Sequence, residues 1–183
     1  APTRVGSTRT DCCATAAVGF ASGSAVAYRD RTADEIRDIQ VVLRSDAAPP
    51  ATHAPGKDGW RIAGCPVNGP ALAADGRRLA LAWFSAPGDR ARMSAALSSD
   101  GGANWSAPLP LAANSGAAGG KPMGQLALAA LPGGFAAAWL ESGEGSTELR
   151  FARLDESGKA TPSIAVARLA PGRHAVRGLL RLA

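Results

Sequence analysis

Residues 98–105 read SSDGGANW and carry the clearest structural signal in the chain. The side chains of Ser98 and Asp100 can bond backbone N–H groups within a tight turn. Gly102 permits a backbone conformation that a side chain would forbid. Trp105 supplies a large apolar group that can fold back under the turn. The stretch therefore predicts a tight turn between two antiparallel strands.

This turn lies inside a repeat of about 55 residues. One marker is an aromatic residue that ends a short apolar run, at spacings of 55 and 56 residues: Tyr28, Trp83 and Trp139. A second marker is an aspartate that follows another such run, at spacings of 54 and 55 residues: Asp46, Asp100 and Asp155. A period of this length predicts a propeller or another array with one supersecondary unit per repeat. The runs are strand-length and are bounded by Gly, Pro, Ser and Asp, so each unit is predicted to be a small antiparallel sheet.

Residues 98–105 fit the pattern Ser-x-Asp-x-Gly-x-x-Trp, which resembles the Asp box of the sialidase superfamily (BNR-repeat β-propellers). The resemblance implies an all-β fold built from four-stranded blades, six of which complete a propeller. Residues 1–183 would then form a single partial propeller domain. Its parts would be blades at 12–63, 65–112 and 122–168, and the first strand of a fourth blade at 177–183. Three blades leave open sheet edges, so the remaining blades or a second chain are expected to cover them.

The apolar runs and turn signals place four strands in each unit. For the first unit we predict strands at 14–20, 24–30, 38–45 and 60–63. For the second unit we predict strands at 69–74, 78–85, 92–98 and 105–111. For the third unit we predict strands at 124–130, 134–140, 147–154 and 162–168.

Composition excludes several functional classes. Hydrophobic residues make up 46% of the 183 residues, which is enough for a globular core. The net charge is +5, but no run of five basic residues occurs and aromatic residues are only 5%, so nucleic-acid binding is not expected. No apolar stretch reaches the ~18 residues of a membrane-spanning helix. No motif calls for a cofactor, and the resemblance implies a periplasmic or secreted protein.

A four-stranded meander sorts its loops onto two faces. The Asp box is a third-to-fourth turn, whereas the sialidase cleft lies on the opposite face, around the axis. The charged segment 29–37 belongs to that cleft face. Because a guanidinium matches a carboxylate bidentately, the resemblance makes Arg29, Arg31 and Arg37 candidates for binding a sugar carboxylate. Asp30 and Glu141 are its candidates for catalysis. The alternative is that these residues form solvated ion pairs that order a surface turn.

Two departures from the sialidase pattern bear on activity. The Arg-Ile-Pro motif that carries the first arginine of sialidases is absent. The only tyrosine is Tyr28, and its place in the repeat is held by Trp83 and Trp139, so we assign it to the core. This chain alone is therefore predicted to lack a complete sialidase site. Two functions stay open: a sialidase-like protein that acts on or binds a glycan or small molecule at the axial cleft, and a non-enzymatic extracytoplasmic binding or scaffold propeller.

The cysteines form a second candidate site. Cys12, Cys13 and Cys65 precede the innermost strands of the first two units, so we expect them near one another at the cleft-face end of the axis. Met123 holds a comparable place in the third unit. One interpretation is an inter-blade disulfide between Cys65 and one of the other two, worth about 2–4 kcal/mol. The other is a sulfur-lined site for a soft metal ion such as Cu(I).

Overall fold

The computed structural model describes residues 14–45, 47–113, 120–143 and 145–169. Within these ranges the regular elements are β-strands, apart from one short 3₁₀ turn at Pro87–Asp89. The all-β fold predicted from the sequence is therefore confirmed. The predicted fourth-blade strand at 177–183 and the repeat marker Asp46 lie outside the described residues.

The strands form three four-stranded antiparallel sheets, each following the chain as a meander. The first sheet contains β1 (Ala16–Phe20), β2 (Gly23–Arg29), β3 (Ile39–Arg44) and β4 (Ala51–Gly56). The second contains β5 (Ala71–Asp75), β6 (Arg78–Ser85), β7 (Arg92–Ser98) and β8 (Leu109–Ala113). The third contains β9 (Lys121–Leu131), β10 (Gly134–Gly143), β11 (Ser146–Asp155) and β12 (Ile164–Leu169).

The predicted last strand of the first unit is wrong. Residues 60–63 are not the fourth strand, which is instead β4 at Ala51–Gly56. This strand contains Pro55 and lacks an apolar alternation, so its sequence gives little β signal, and a proline is tolerated there because β4 lies at the sheet edge. The segment around Arg61 forms a bridge to Ile36 and so supports the loop between β2 and β3.

The sheets pack against one another in chain order. One apolar cluster joins the first and second sheets around the fully buried Trp83. A second cluster joins the second and third sheets around the fully buried Trp139. The first strands of the three sheets lie side by side, because β5 contacts both β1 and β9. Each repeated aromatic residue is therefore part of the core, including Tyr28, which is 8% exposed.

Side chains of the 98–105 segment hold the turn between β7 and β8. The hydroxyl oxygen of Ser98 accepts a hydrogen bond from the backbone N–H of Gly102 at 2.8 Å. The Asp100 carboxylate accepts the backbone N–H of Asn104 at 3.0 Å and its side-chain amide at 2.7 Å. Trp105 is half-buried against the cluster between the first and second sheets. The turn is thus stabilised by its own hydrogen bonds and by the packing of Trp105 against the neighbouring sheet.

The corresponding turn of the third sheet uses the same hydrogen bond. Asp155 accepts the backbone N–H of Lys159, four residues later, at 2.9 Å, as Asp100 does from Asn104. The Ser157 hydroxyl also donates to Asp155 at 2.6 Å. The tryptophan of residues 98–105 is absent from this turn and its glycine is shifted by one residue, to Gly158, whose φ is 83°, but the aspartate that closes the turn is kept.

Replacing Asp100 with alanine is expected to lower the free energy of unfolding by about 1–3 kcal/mol, because the turn loses the hydrogen bonds that the charged carboxylate accepts from Asn104. Denaturant melts of the purified variant at neutral pH measure this loss. Unchanged melts would argue against a structural role for the aspartate.

The pH dependence of the same loss provides a control. Hydrogen bonds from Asn104, first from its backbone and then from its side chain, lower the pKa of Asp100 to about 2. A carboxyl whose pKa is lowered on folding stabilises the protein above its unfolded pKa and loses that effect as the pH falls through its folded pKa. The difference between wild type and variant should therefore persist at pH 5 and shrink as the pH approaches about 2.

Candidate functional site

The meander places the connections of each sheet on two opposite faces. The box face carries the turns at 21–22, 76–77 and 99–108. Backbone hydrogen bonds join these turns, from Ala21 to Gly76 at 2.9 Å and from Gly101 to Arg77 at 2.8 Å. The opposite face carries the loop at 30–38, the link at 57–70 and the loop at 86–91. The sequence-predicted arginines belong to this second face.

Arg29 is buried beneath the opposite face and is only 1% exposed. Its Nη1 donates to the carbonyl of Arg37 at 2.7 Å and its Nη2 to the carbonyl of Phe84 at 2.6 Å. Its Nε donates to the carbonyl of Asn68 at 3.1 Å. The guanidinium also lies over the ring of Trp60, 5.0 Å from the centroid. Arg29 therefore joins the loop at 30–38 and the link at 57–70 to strand β6, and its burial keeps it from a ligand in solvent.

Arg31 and Arg37 converge on one carboxylate, that of Glu35. The Nε and Nη2 of Arg31 donate to Glu35 Oε1 at 3.1 and 2.5 Å. The Nη2 of Arg37 donates to Glu35 Oε2 at 2.8 Å. Two of the three predicted substrate-binding arginines thus form a carboxylate clamp, and an internal glutamate fills it.

The backbone around Glu35 fixes that carboxylate in the clamp. Glu35 has a φ of 63°, a left-handed conformation that is uncommon for a residue with a side chain. Its N–H donates to the Thr32 carbonyl at 3.0 Å, and its own carbonyl accepts the N–H of Ile62 at 3.1 Å. Thr32 also accepts the N–H of Ile36 through its hydroxyl, at 3.1 Å. The loop therefore holds Glu35 against the two arginines.

Electrostatics keep the clamp occupied at neutral pH. Hydrogen bonds from Arg31 and then Arg37 lower the pKa of Glu35 below its usual value. The carboxylate is consequently ionised at pH 7. Arg37 is 4% exposed, whereas the Arg31 side chain is 38% exposed. The clamp is therefore more exposed to solvent at Arg31 than at Arg37.

The two predicted catalytic carboxylates belong to different sheets, Asp30 directly after β2 and Glu141 on β10. Asp30 is half-buried, and its backbone N–H donates to the Asp38 carbonyl at 2.8 Å. Glu141, in the third sheet, is 8% exposed and accepts the indole N–H of Trp139 at 2.8 Å. The Arg150 Nε lies 3.9 Å from its other oxygen. Glu141 thus serves as the hydrogen-bond acceptor of a core tryptophan.

The environment of Tyr28 is unfavourable for a nucleophile. Burial and, secondarily, the charge of Asp30 raise the pKa of Tyr28 above its usual value. A phenol that ionises less readily is a weaker nucleophile at neutral pH. This agrees with the sequence-based assignment of Tyr28 to the core.

Sequence reasoning missed Asp58, a buried carboxylate on the opposite face. Its Oδ2 accepts the indole N–H of Trp83 at 2.6 Å and its Oδ1 accepts Arg92 Nη2 at 2.6 Å. Asp38 Oδ1 in turn accepts the backbone N–H of Asp58 at 3.0 Å. One available signal was the repeated tryptophan itself, because a buried indole N–H requires an acceptor.

The sulfur site is only partly within the described residues. Cys65 is disulfide-bonded. Cys12 and Cys13 lie outside the described residues, so the predicted pairing stays a prediction. A disulfide sulfur is not a thiolate, so the oxidised Cys65 is not the ligand that the metal interpretation requires. Met123 is half-buried on β9, and the described part of the chain contains no group of three His, Cys, Asp or Glu suited to a metal ion.

No protein-family model matches the chain, and no curated protein matches it. In the ranges that the structure describes, no helix has the length and apolar character needed to cross a membrane.

Proposed function

We propose that this chain is part of an Asp-box β-propeller that binds a carboxylated sugar without hydrolysing it. The binding site is on the face opposite the Asp-box turns, at the loop 30–38. The observation that carries the proposal is the convergence of Arg31 and Arg37 on the Glu35 carboxylate. Two guanidinium groups around one carboxylate match the charge and geometry that a sugar carboxylate requires. Glu35 occupies the position that the ligand carboxylate would take.

Two features support the propeller part of the proposal. In the turns at Asp100 and Asp155 the aspartate accepts the backbone N–H of the residue four positions later. The sequence repeat is therefore matched by a repeated turn geometry. The first strands of successive sheets lie side by side, as the inner strands of neighbouring blades do in a propeller. A disulfide at Cys65 supports an oxidising compartment, such as the periplasm or the exterior of the cell.

The proposal excludes hydrolysis because the remaining catalytic groups are not available. Glycoside hydrolysis with retention needs a nucleophile and an acid/base group on either side of one bond. Tyr28 is packed in the first sheet, and Glu141 is bonded to Trp139 in the third. Arg29, the third predicted arginine, has its three donor nitrogens on backbone carbonyls. Among the residues that the structure describes, a bound sugar would meet a carboxylate clamp without a complete catalytic set.

Replacing Glu35 with glutamine is expected to raise the affinity for N-acetylneuraminic acid about tenfold or more, which corresponds to about 1.4 kcal/mol. The neutral amide competes less well than a carboxylate for the two guanidinium groups. Isothermal titration calorimetry of wild type and variant measures the change.

Two controls make the calorimetric result specific. The methyl ester of the same sugar lacks the negative charge. Its affinity should therefore be no higher for Glu35→Gln than for wild type. Glu156→Gln removes an exposed carboxylate that pairs with Arg78 on the box face, so its affinity should match that of wild type. Equal binding of the acid by wild type and Glu35→Gln, or equal binding of acid and ester, would overturn the proposed function.

The purified 183-residue chain is expected to release no fluorophore from a fluorogenic sialoside above the buffer rate. Loss of a catalytic group ordinarily lowers the rate by several orders of magnitude. In this chain the candidate catalytic side chains Tyr28 and Glu141 are both engaged in the core. Turnover that disappears in Tyr28→Phe would show instead that the tyrosine acts as a nucleophile.

A further inference from the structure

A cavity of about 350 Å³ lies on the box face, between the second and third sheets. One wall is the turn at 98–106, and the other is the turn at 155–158. Phe135, at the start of β10, closes the apolar end. The site is distinct from the arginine clamp, which lies on the opposite face.

The charges that line this cavity are already compensated. Arg78 pairs with Glu156 across the two sheets and with Asp75 on its own sheet. Asp155 accepts the Ser157 hydroxyl and the N–H of Lys159. These bonds hold the pKa of Asp155 below its usual value, the Ser157 hydroxyl first among them. The cavity therefore offers no excess charge to an ionic ligand, and it favours a neutral one.

The uncharged lining combines apolar surface with open hydrogen-bonding groups. Trp105 is half-buried, so part of its indole ring remains open beside the cavity. Leu97 adds aliphatic surface. Ser99 and Asn104 line the cavity and are both exposed, so their polar side chains are accessible from it. A small-molecule site of this kind typically joins an aromatic wall to a few well-placed polar groups.

From this lining we infer that the cavity binds a neutral sugar ring. A pyranose has one face rich in C–H groups, which suits the indole of Trp105, and equatorial hydroxyls that can bond Ser99 and Asn104. The volume accommodates a monosaccharide unit, so the end of a neutral oligosaccharide is the ligand class that fits. The inference does not depend on the carboxylate clamp.

Saturation-transfer NMR of the full chain with lactose, maltose and cellobiose tests the inference. We expect transfer to the ring C–H protons of at least one disaccharide. The transfer should be lost in Ser99→Arg and in Ser157→Arg, which place a long side chain at the cavity from its two walls. Circular dichroism melts confirm that each variant is folded.

Ser22→Arg is the matched control, because Ser22 is an exposed serine of the same face that lines a different cavity, between the first two sheets. Transfer should survive in this variant. Absence of transfer for all three disaccharides would overturn the inference. Transfer that persists in both Ser99→Arg and Ser157→Arg would overturn it as well, because the sugar would then bind elsewhere.

Discussion

Replacing Arg29 with alanine is expected to lower the free energy of unfolding by about 3–5 kcal/mol, the largest effect that we predict for the charged segment. The substitution removes a guanidinium that is 1% exposed and donates to three backbone carbonyls. Those carbonyls would remain buried without their charged donor, at about 1–3 kcal/mol each before any relaxation. The contact with the Trp60 ring is lost as well. Equilibrium denaturation in urea measures the change.

Arg168→Ala is the matched control for this prediction. Arg168 is 76% exposed and pairs with Glu148 on the third sheet, so its loss should cost less than about 1 kcal/mol. If Arg29→Ala is as stable as Arg168→Ala but no longer binds a carboxylated sugar, Arg29 is a ligand contact and its structural assignment is wrong.

Replacing Gly102 with alanine is expected to cost about 3 kcal/mol of unfolding free energy, for two additive reasons. Its φ of 88° is in the left-handed region, where a side chain costs about 1–2 kcal/mol. An added Cβ would also lie 2.6 and 2.8 Å from the two methyl carbons of Leu43 and 3.2 Å from a methyl carbon of Leu79. Overpacking of this kind costs about 1–3 kcal/mol. Thermal or urea melts of the variant measure the sum.

Gly76→Ala separates the two contributions. Gly76 has a φ of 60° in a box-face turn, but an added Cβ there would meet no atom within 4 Å. Its alanine variant should therefore lose only the backbone contribution. If the two variants are equally destabilised, the close approach of Gly102 to the first sheet contributes nothing, and the packing argument fails.

The parts of the fold that the sequence predicted are those that local chemistry determines. Short apolar runs between turn residues located eleven of the twelve strands, to within a few residues. The 98–105 turn was readable because its side chains bond their own backbone. The exception, β4, has only one buried residue, Gly56, so its faces need no regular apolar pattern.

The candidate site was less predictable because it depends on contacts between distant segments. The sequence identified the charged segment 29–37 and allowed ion pairs within it, but it did not indicate that Arg29 would point into the protein or that Glu35 would be the shared partner of two arginines. Both outcomes depend on partners in other segments: Phe84 accepts from Arg29, and Ile62 anchors the Glu35 backbone. Asp58 was missed for the same reason, because its indole partner is 25 residues away in the next sheet.

The most direct test of the carboxylate clamp is a crystal structure of Glu35→Gln in complex with N-acetylneuraminic acid. The account predicts that the sugar carboxylate lies within hydrogen-bonding distance of the guanidinium groups of Arg31 and Arg37, with the glutamine displaced from both. It also predicts that Arg29 remains bonded to the three backbone carbonyls. A sugar bound with its carboxylate away from Arg31 and Arg37, or a sugar bound only on the box face, would contradict the account.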